Sequence, residues 1–513
     1  MRKRIFRLVL AVLLALSCSG CGGQRRQAVS IPDDPYRNVY EIFVASYYDS
    51  DGDGMGDLNG VAEKLDYLAD MGYTAVWLMP IHPSPSYHKY DVTDYTAIDP
   101  DYGTLEDFDR LLDEAHQRNI RVYLDLVVNH TSDEHPWFTQ AKAALLSGQS
   151  SPYIDYYHFR STAQSGYTRI NDELYYEARF SPDMPDLNLD SPQVREAIRQ
   201  IMAFWLDRGV DGFRLDATTS YYTDSAAANT EFLSWLSQQA RQIKPDCYLV
   251  GEAWAGDNVI RQYYQSGVDS FFHFSFSQAD GVIARSLTVS APAPYYARAL
   301  QQALDITQGH IPAIFLDNHD TNRIANGVGK SQREKLKFVY GLAALFNGCI
   351  YTYYGTEIGM VGTGKDENKR IAMLWDSDDP SGRCADPAGA TAAEYVYPGV
   401  KQQQKDPQSL LNYHRQMNYL RNRYPAIARG QLSFPEGVST DTLLVVEKEY
   451  EGQTIAIVIN FDPAASATVD LGALGYSQME YAAVGTDRPA FRKGVLTLPD
   501  YGIAVLSGRP ADS

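Results

Sequence analysis

The chain of 513 residues exceeds what one domain ordinarily holds, and its 44 % hydrophobic content is that of a globular protein able to bury a core. A formal net charge of −19 argues against a nucleic-acid binder, whose target phosphates call for a basic patch. The same acidity suits an exported protein acting on a neutral polymer.

Met1–Arg7 is basic and Leu8–Leu16 is apolar. That apolar run is too short to span a bilayer, so residues 1–30 are read as an export signal and linker. The cysteines that close it, in SCSGCGG, resemble a bacterial lipobox, and Cys18 and Cys21 both remain open as the lipidated residue. The expectation is an exported protein of the bacterial cell envelope whose contact with the membrane is its N-terminal lipid anchor, the alternative being an ordinary secretory signal with incidental cysteines and a secreted protein. No later stretch is apolar enough to cross a membrane. The other cysteines, Cys247, Cys349 and Cys384, are odd in number and widely spaced, which fits neither a disulfide framework nor a zinc site.

From residue 31 onward, short apolar runs alternate with amphipathic helical patterns, the signature of βα units. Expected strands are Val39–Val44, Ala75–Met79, Arg121–Leu126, Gly212–Asp216, Tyr248–Glu252, Ser270–Phe274, Ile311–Leu316 and Cys349–Tyr354. Helical patterns at Val61–Met71, Leu105–Arg118, Pro192–Arg208 and Thr230–Ile243 fall between them. Eight such strands close most naturally into a (β/α)8 TIM barrel, an α/β fold that carries its chemistry at the C-terminal ends of the strands. Residues 131–190 break the alternation with a long aromatic segment and are read as a domain inserted after strand 3. The barrel resumes over 191–430, with a last helix at Leu410–Tyr424. Residues 431–513 turn strand-like (Thr442–Glu447, Thr454–Asn460, Ala467–Leu471, Gly494–Leu498, Ile503–Leu506) and are read as a C-terminal antiparallel β-domain.

Four motifs stand at ends of the expected strands: DLVVNH (Asp125–His130), GFRLDA (Gly212–Ala217), GEAW (Gly251–Trp254) and LDNHD (Leu316–Asp320). They supply three carboxylates, Asp216, Glu252 and Asp320, with His130, His319 and Arg214 beside them. Two carboxyl groups with a third to orient the sugar is the chemistry of glycosidic-bond cleavage. Arg214, two residues before Asp216 on the same strand face, holds that carboxylate ionised, as a nucleophile requires. Neighbouring carboxylates raise the proton affinity of Glu252, as a general acid requires. Asp125 is expected to orient Arg214 or the neighbouring loop rather than to touch substrate. Separately, the acidic loop DSDGDGMGD (Asp49–Asp57) offers Asp49, Asp51, Asp53 and Asp57 and the Met55 carbonyl as hard oxygen ligands around a glycine-permitted turn, which points to Ca2+. It is not an EF-hand, because Gly60 stands at the expected Glu position.

On these motifs the chain resembles the α-amylase family of glycoside hydrolases, and the likeness covers essentially everything after Ser30. The resemblance implies Asp216 as nucleophile, Glu252 as general acid/base and Asp320 as transition-state stabiliser. It implies that His130 and His319 hydrogen-bond hydroxyls of the ring being cleaved. SYHKYDVTDY (Ser86–Tyr95) matches the family's second βα loop, so Tyr90 is expected to stack on the sugar with Asp91 as an adjacent polar contact. Lys89 stands there where many relatives have Gly. KDENKRIAMLW (Lys365–Trp375) matches the loop after strand 8, with Asp366 and Arg370 as sugar contacts. Relatives of the oligo-glucosidase branch carry a metal in the loop that matches Asp49–Asp57. A second family calcium site often uses the residue matching Asn129, but Ser220 stands where many α-amylases have His, so that site stays open.

MPDLNLD (Met184–Asp190) begins with Met where dedicated oligo-1,6-glucosidases have Gln, and Ala217 stands where they have Val. Both departures lean toward α-1,4 bonds. The expected function is retaining hydrolysis of internal α-1,4 bonds in starch-type glucans and maltodextrins through a glycosyl-Asp216 intermediate. The alternative is an exo-acting α-glucosidase or neopullulanase-like enzyme on short or branched oligosaccharides.

Overall fold

A computed structural model describes residues 31–508 apart from residue 392. The signal and lipobox of residues 1–30 lie outside the described residues. Eight parallel strands form the central sheet: β1 (Asn38–Ile42), β2 (Ala75–Leu78), β3 (Arg121–Leu126), β4 (Gly212–Leu215), β5 (Tyr248–Gly251), β6 (Ser270–Phe271), β7 (Ala313–Phe315) and β8 (Cys349–Tyr353). Their order is β7-β8-β1-β2-β3-β4-β5-β6, and a parallel bridge between Phe272 and Ala313 closes the ring. The expected TIM barrel is therefore the fold.

Inward-pointing residues fill the barrel. Val39, Trp77, Tyr123, Tyr248, Phe315 and Tyr351 form one buried cluster inside it, while a larger core lies between strands and helices. The helical patterns hold with shifted starts. The first begins at Leu58, because the Asp57 carboxylate accepts the Gly60 N–H and caps it. It then breaks at Lys64, so the expected single helix is two: Leu58–Glu63 and Leu65–Asp70. The helix expected from Thr230 starts at Ala226, where Ser225 caps it. Pro192–Arg208 holds at both ends, with Pro at its first position and Gly209 in the left-handed region closing it.

Within 131–190 the chain makes a helix (Pro136–Ser147) and a small antiparallel sheet of Phe159–Arg160, Leu174–Glu177 and Tyr167–Asn171. The bridge His130–Asp186 ties this segment to the chain leaving β3, and the bridge Tyr157–Leu187 joins two parts of the segment itself. Beyond the last barrel helix (Leu410–Arg423) come β9 (Gln431–Ser433), β10 (Leu443–Tyr450), β11 (Gln453–Asn460), β12 (Ala467–Asp470), β13 (Gln478–Ala482), β14 (Ala490–Arg492), β15 (Val495–Leu498) and β16 (Ile503–Ser507). They form two antiparallel sheets, β9-β10-β11-β16-β13 and β12-β15-β14. The strands β9, β13 and β14, absent from the sequence reading, are sheet-edge strands with half-exposed faces, so their apolar alternation is weak. Lys448 ties this domain to the barrel: its buried ammonium donates to the carbonyls of Leu345 (2.8 Å) and Ile427 (2.6 Å) and to Asn347 Oδ1 (2.6 Å).

Candidate active site

Asp216 and Glu252 are brought together by strand register. Leu215 of β4 lies opposite Gly251 of β5, so the next residue on each strand emerges at the same level of the barrel rim. The chain locks them there: Asp216 N–H donates to Leu126 O, and Glu252 N–H donates to Leu215 O. Thr218 Oγ1 donates to the Glu252 carbonyl at 2.6 Å.

Arg214 organises the carboxylates. Its Nη1 meets Asp125 Oδ1 at 2.7 Å and Asp216 Oδ1 at 2.5 Å, and its Nη2 meets Glu252 Oε1 at 2.9 Å. The guanidinium is 1 % exposed and lies over the Trp77 ring at 5.2 Å. The expected link from Asp125 to Arg214 is present. Burial pushes the Glu252 carboxyl above the ordinary glutamate range; the charges of Asp216 and Asp320 add to this and Arg214 opposes it.

Asp320 sits on the rim after β7. Its carboxylate meets His319 Nε2 at 3.0 Å and Arg370 Nη2 at 2.9 Å. Burial works against its ionisation, but the His319 charge and hydrogen bond, with Arg370, hold its carboxyl well below the usual range. His319 Nδ1 lies 2.6 Å from Glu41 Oε1. Against the burial of the ring, Asp320 and Glu41 lift the imidazole to about 9. His319 is therefore a cation held between two carboxylates. Glu41 was missed by the sequence reading; its signal was a charged residue inside the apolar strand NVYEI, 1 % exposed.

Tyr90 reaches the same centre. Its hydroxyl donates to Asp125 Oδ2 at 3.0 Å and lies 2.8 Å from His319 Nε2, and its ring stacks on His319 at 5.6 Å. Lys89, at the position many relatives give to Gly, has φ of 66°, the left-handed region glycine favours. An ion pair from its ammonium to Asp99 at 2.7 Å helps hold that backbone. Asp91 is 1 % exposed and accepts from Ser84 Oγ (2.7 Å) and Ser86 Oγ. The structure thus gives Asp91 the task of bracing its own loop. His130 is 2 % exposed with Nε2 free of any protein partner and Phe180 at 5.3 Å. A buried ring nitrogen without a partner fits a ligand contact.

Arg370 also contacts Tyr87, donating to its hydroxyl at 3.1 Å. Asp366 is exposed and pairs with Lys369 at 2.9 Å and more loosely with Arg370 at 3.8 Å. Lys369 itself donates to the Asp320 carbonyl at 2.6 Å. Beyond Glu252, Trp254 is 56 % exposed and stacks on Phe274 with centroids 4.6 Å apart.

The acidic loop lies apart from these residues in the chain, after β1. Asp49, Asp51 and Asp57 place carboxylate oxygens within 4.8 Å of one another, a grouping of hard donors that fits a calcium ion. Asp53 does not join them. Its Oδ1 accepts the Met55 N–H at 2.7 Å, the local turn that an Asp makes with the residue two positions on. The Asn129 side-chain amide donates to Asp186 at 3.2 Å, and burial, then Glu177, raises the Asp186 carboxyl to about 7.

Comparison with known proteins gives a consistent result. Residues 41–430 match a family model described as "Alpha amylase, catalytic domain". The chain is 38 % identical to Alpha-amylase 3 of Dictyoglomus thermophilum, over 83 % of this chain and 85 % of that protein. It is 30 % identical to an oligo-1,6-glucosidase of Heyndrickxia coagulans, over 82 % of this chain and 91 % of that protein. Among solved structures, Eubacterium rectale Amy13B superposes with a TM-score of 0.88 at 41 % identity, covering 94 % of this chain and 97 % of that one.

Proposed function

The chain belongs to the α-amylase family of glycoside hydrolases, and from that premise we propose that it cleaves internal α-1,4-glucosidic bonds of starch-type glucans and maltodextrins with retention of configuration. The observation that carries this reading is the Arg214 clamp: two carboxylates at one level of the rim share one guanidinium, and a third, Asp320, stands on the His319 and Arg370 side. Curated relatives named alpha-amylase and oligo-1,6-glucosidase support a glycosidase acting on α-glucans.

In the proposed reaction Asp216 attacks the anomeric carbon while Glu252 gives its proton to the departing glycosidic oxygen. The raised proton affinity of Glu252 favours the protonated form that a general acid needs. The glycosyl-Asp216 ester is then hydrolysed by a water from which Glu252, now a carboxylate, takes a proton. Asp320, kept ionised by His319 and Arg370, hydrogen-bonds ring hydroxyls and stabilises the positive charge that develops on the sugar. His130 Nε2 supplies a further contact to the ring.

The relative named oligo-1,6-glucosidase favours a second reading, exo action on short or branched oligosaccharides. The products released from amylose over time separate the two: mixed oligosaccharides early mean internal cleavage, glucose alone means exo. An NMR time course that shows product of inverted configuration sinks the retaining mechanism.

Calcium held by Asp49, Asp51 and Asp57 is part of the proposal, supported by the approach of their oxygens; its role there is to neutralise the cluster and stiffen the loop. So is export with a lipid on Cys18 or Cys21, supported by the N-terminal sequence. Fatty-acid labelling of Cys18→Ser and Cys21→Ser proteins identifies the modified residue; labelling retained in the double variant overturns the assignment to these cysteines, and no labelling of the wild-type protein overturns the anchor.

A further inference from the structure

Glu41 is a carboxylate on the inside of the barrel. Val39, two residues earlier on β1, is one of the inward-pointing residues, and side chains two apart on a strand share a face. Glu41 is 1 % exposed. Burying a charge that deeply is costly, and an apolar residue would fill the position at less cost to stability. Among the described residues its side chain meets one partner, His319: Oε1 lies 2.6 Å from the ring Nδ1 and accepts the His319 backbone N–H at 3.3 Å. The opposite nitrogen of that ring faces the reaction. His319 Nε2 lies 3.0 Å from Asp320 Oδ2 and 2.8 Å from the Tyr90 hydroxyl, whose own proton goes to Asp125. Both ring nitrogens therefore face acceptors. A neutral imidazole has one N–H and would turn a lone pair toward a carboxylate on one side, whereas the imidazolium satisfies both. Burial of the ring opposes that charge; Asp320 and Glu41 together outweigh it and lift the imidazole to about 9. The other charged groups near the ring are Asp125, Glu252 and Arg370, from β3, the end of β5 and the loop after β8, while Asp317 and Tyr353 stand near Glu41 itself.

We propose that Glu41 is a positioning residue for the glycosidase reaction: from inside the barrel it fixes the orientation of the His319 ring and keeps both ring nitrogens protonated, and through that ring it holds Asp320 in place and ionised. The inference rests on the role given to Asp320 in the reading above and deepens it. Glu41 lies on the far side of the ring from Asp320, so it acts through His319. Positive charge develops on the sugar in the transition state, and a bare imidazolium beside Asp320 opposes it. The Glu41 charge behind the ring offsets that opposition, so the pair orders Asp320 without adding net positive charge to the site.

Glu41→Gln keeps the shape and an oxygen for Nδ1 but removes the charge. It is expected to lower kcat on maltoheptaose by roughly 10–100-fold, the range that loss of a carboxylate behind a functional histidine costs in metal sites, with KM little changed. A merely structural residue could lower kcat as well, so two further measurements are specific. In NMR spectra of protein labelled on histidine nitrogen, with His319 assigned by its loss in His319→Gln, the wild-type ring is expected to give up its proton at about pH 9. In Glu41→Gln it is expected to do so roughly 1–3 pH units lower, as loss of an opposite charge in contact requires. In a double-mutant cycle, Glu41→Gln is expected to cost less than about twofold on the His319→Gln background, because the ring it acts through is gone. An equal loss on both backgrounds, or a His319 titration that Glu41→Gln leaves in place, overturns the proposal and leaves the α-glucan reading standing. If Glu41→Gln does not fold, the wild-type titration decides: a ring that keeps its proton to about pH 9 supports the proposal, and one that loses it near the ordinary 6.5 overturns it. Wild-type protein that releases no product from any maltodextrin overturns the α-glucan reading and the proposal with it.

Discussion

Arg214 Nη2 lies 2.9 Å from Glu252 Oε1, with the two residues only 1 % and 7 % exposed. The group proposed to deliver a proton is thus bound to a permanent cation, yet its proton affinity stays above that of an ordinary glutamate. Burial and two neighbouring carboxylates outweigh one shared guanidinium. The same cation serves Asp216 and Asp125 at 2.5 and 2.7 Å, so its influence on Glu252 is divided.

Removal of that cation has two readable effects. Arg214→Met leaves three carboxylates buried without their partner, and losing one member of a buried ion pair costs roughly 3–5 kcal/mol. A urea titration is expected to show that loss. Glu252 also loses the charge that lowers its proton affinity, so the basic limb of kcat/KM in the surviving folded protein moves to higher pH. A limb that stays put means Arg214 does not act on the general acid.

Stability should depend on pH through His319. Its folded value is raised to about 9, above the ordinary 6.5, so the folded state holds the proton more tightly than the unfolded chain. The contribution is fully present below about pH 6.5 and is lost as pH rises through about 9. Melting temperature measured from pH 6 to 10 is expected to fall across that window. His319→Gln should flatten this part of the curve. An unaltered slope in the variant assigns the effect to other groups.

Ala217, next to the proposed nucleophile, has φ of 47° and donates its N–H to Glu252 Oε2 at 3.1 Å. A β-branched side chain is poorly tolerated at positive φ. Ala217→Val is expected to lower stability by about 1–3 kcal/mol, in the range for backbone strain held at a site. Ala217→Gly should be neutral or slightly stabilising. Denaturant titrations of both proteins decide the matter, and a Val variant as stable as wild type contradicts the conformation.

For the acidic loop, calcium is expected to raise the melting temperature, because an ion that binds only the folded chain favours it by mass action. EDTA should reverse the gain. Asp51→Ala should remove both responses, and Asp53→Ala should leave them largely intact, because Asp53 stands outside the grouping. Equal sensitivity of the two variants would mean that Asp53 is a ligand after all.

The sequence by itself determined the barrel, because parallel strands buried on both faces read as short apolar runs and each helix between them carries a 3.6-residue stripe. It also named the three carboxylates, since motif and strand end coincide at Asp216, Glu252 and Asp320. Edge strands β9, β13 and β14 escaped it because half-exposed strands carry weak patterning. Only the tertiary structure decided who partners whom. Glu41 and His319 are 278 positions apart and meet at 2.6 Å through barrel closure, and Arg370 reaches Asp320 across 50 positions. It also turned Asp91 onto its own loop and left Asp53 out of the metal grouping. Local pattern fixes an element because neighbouring residues share one helix or strand, whereas the direction of a side chain depends on which distant strand lies beside it.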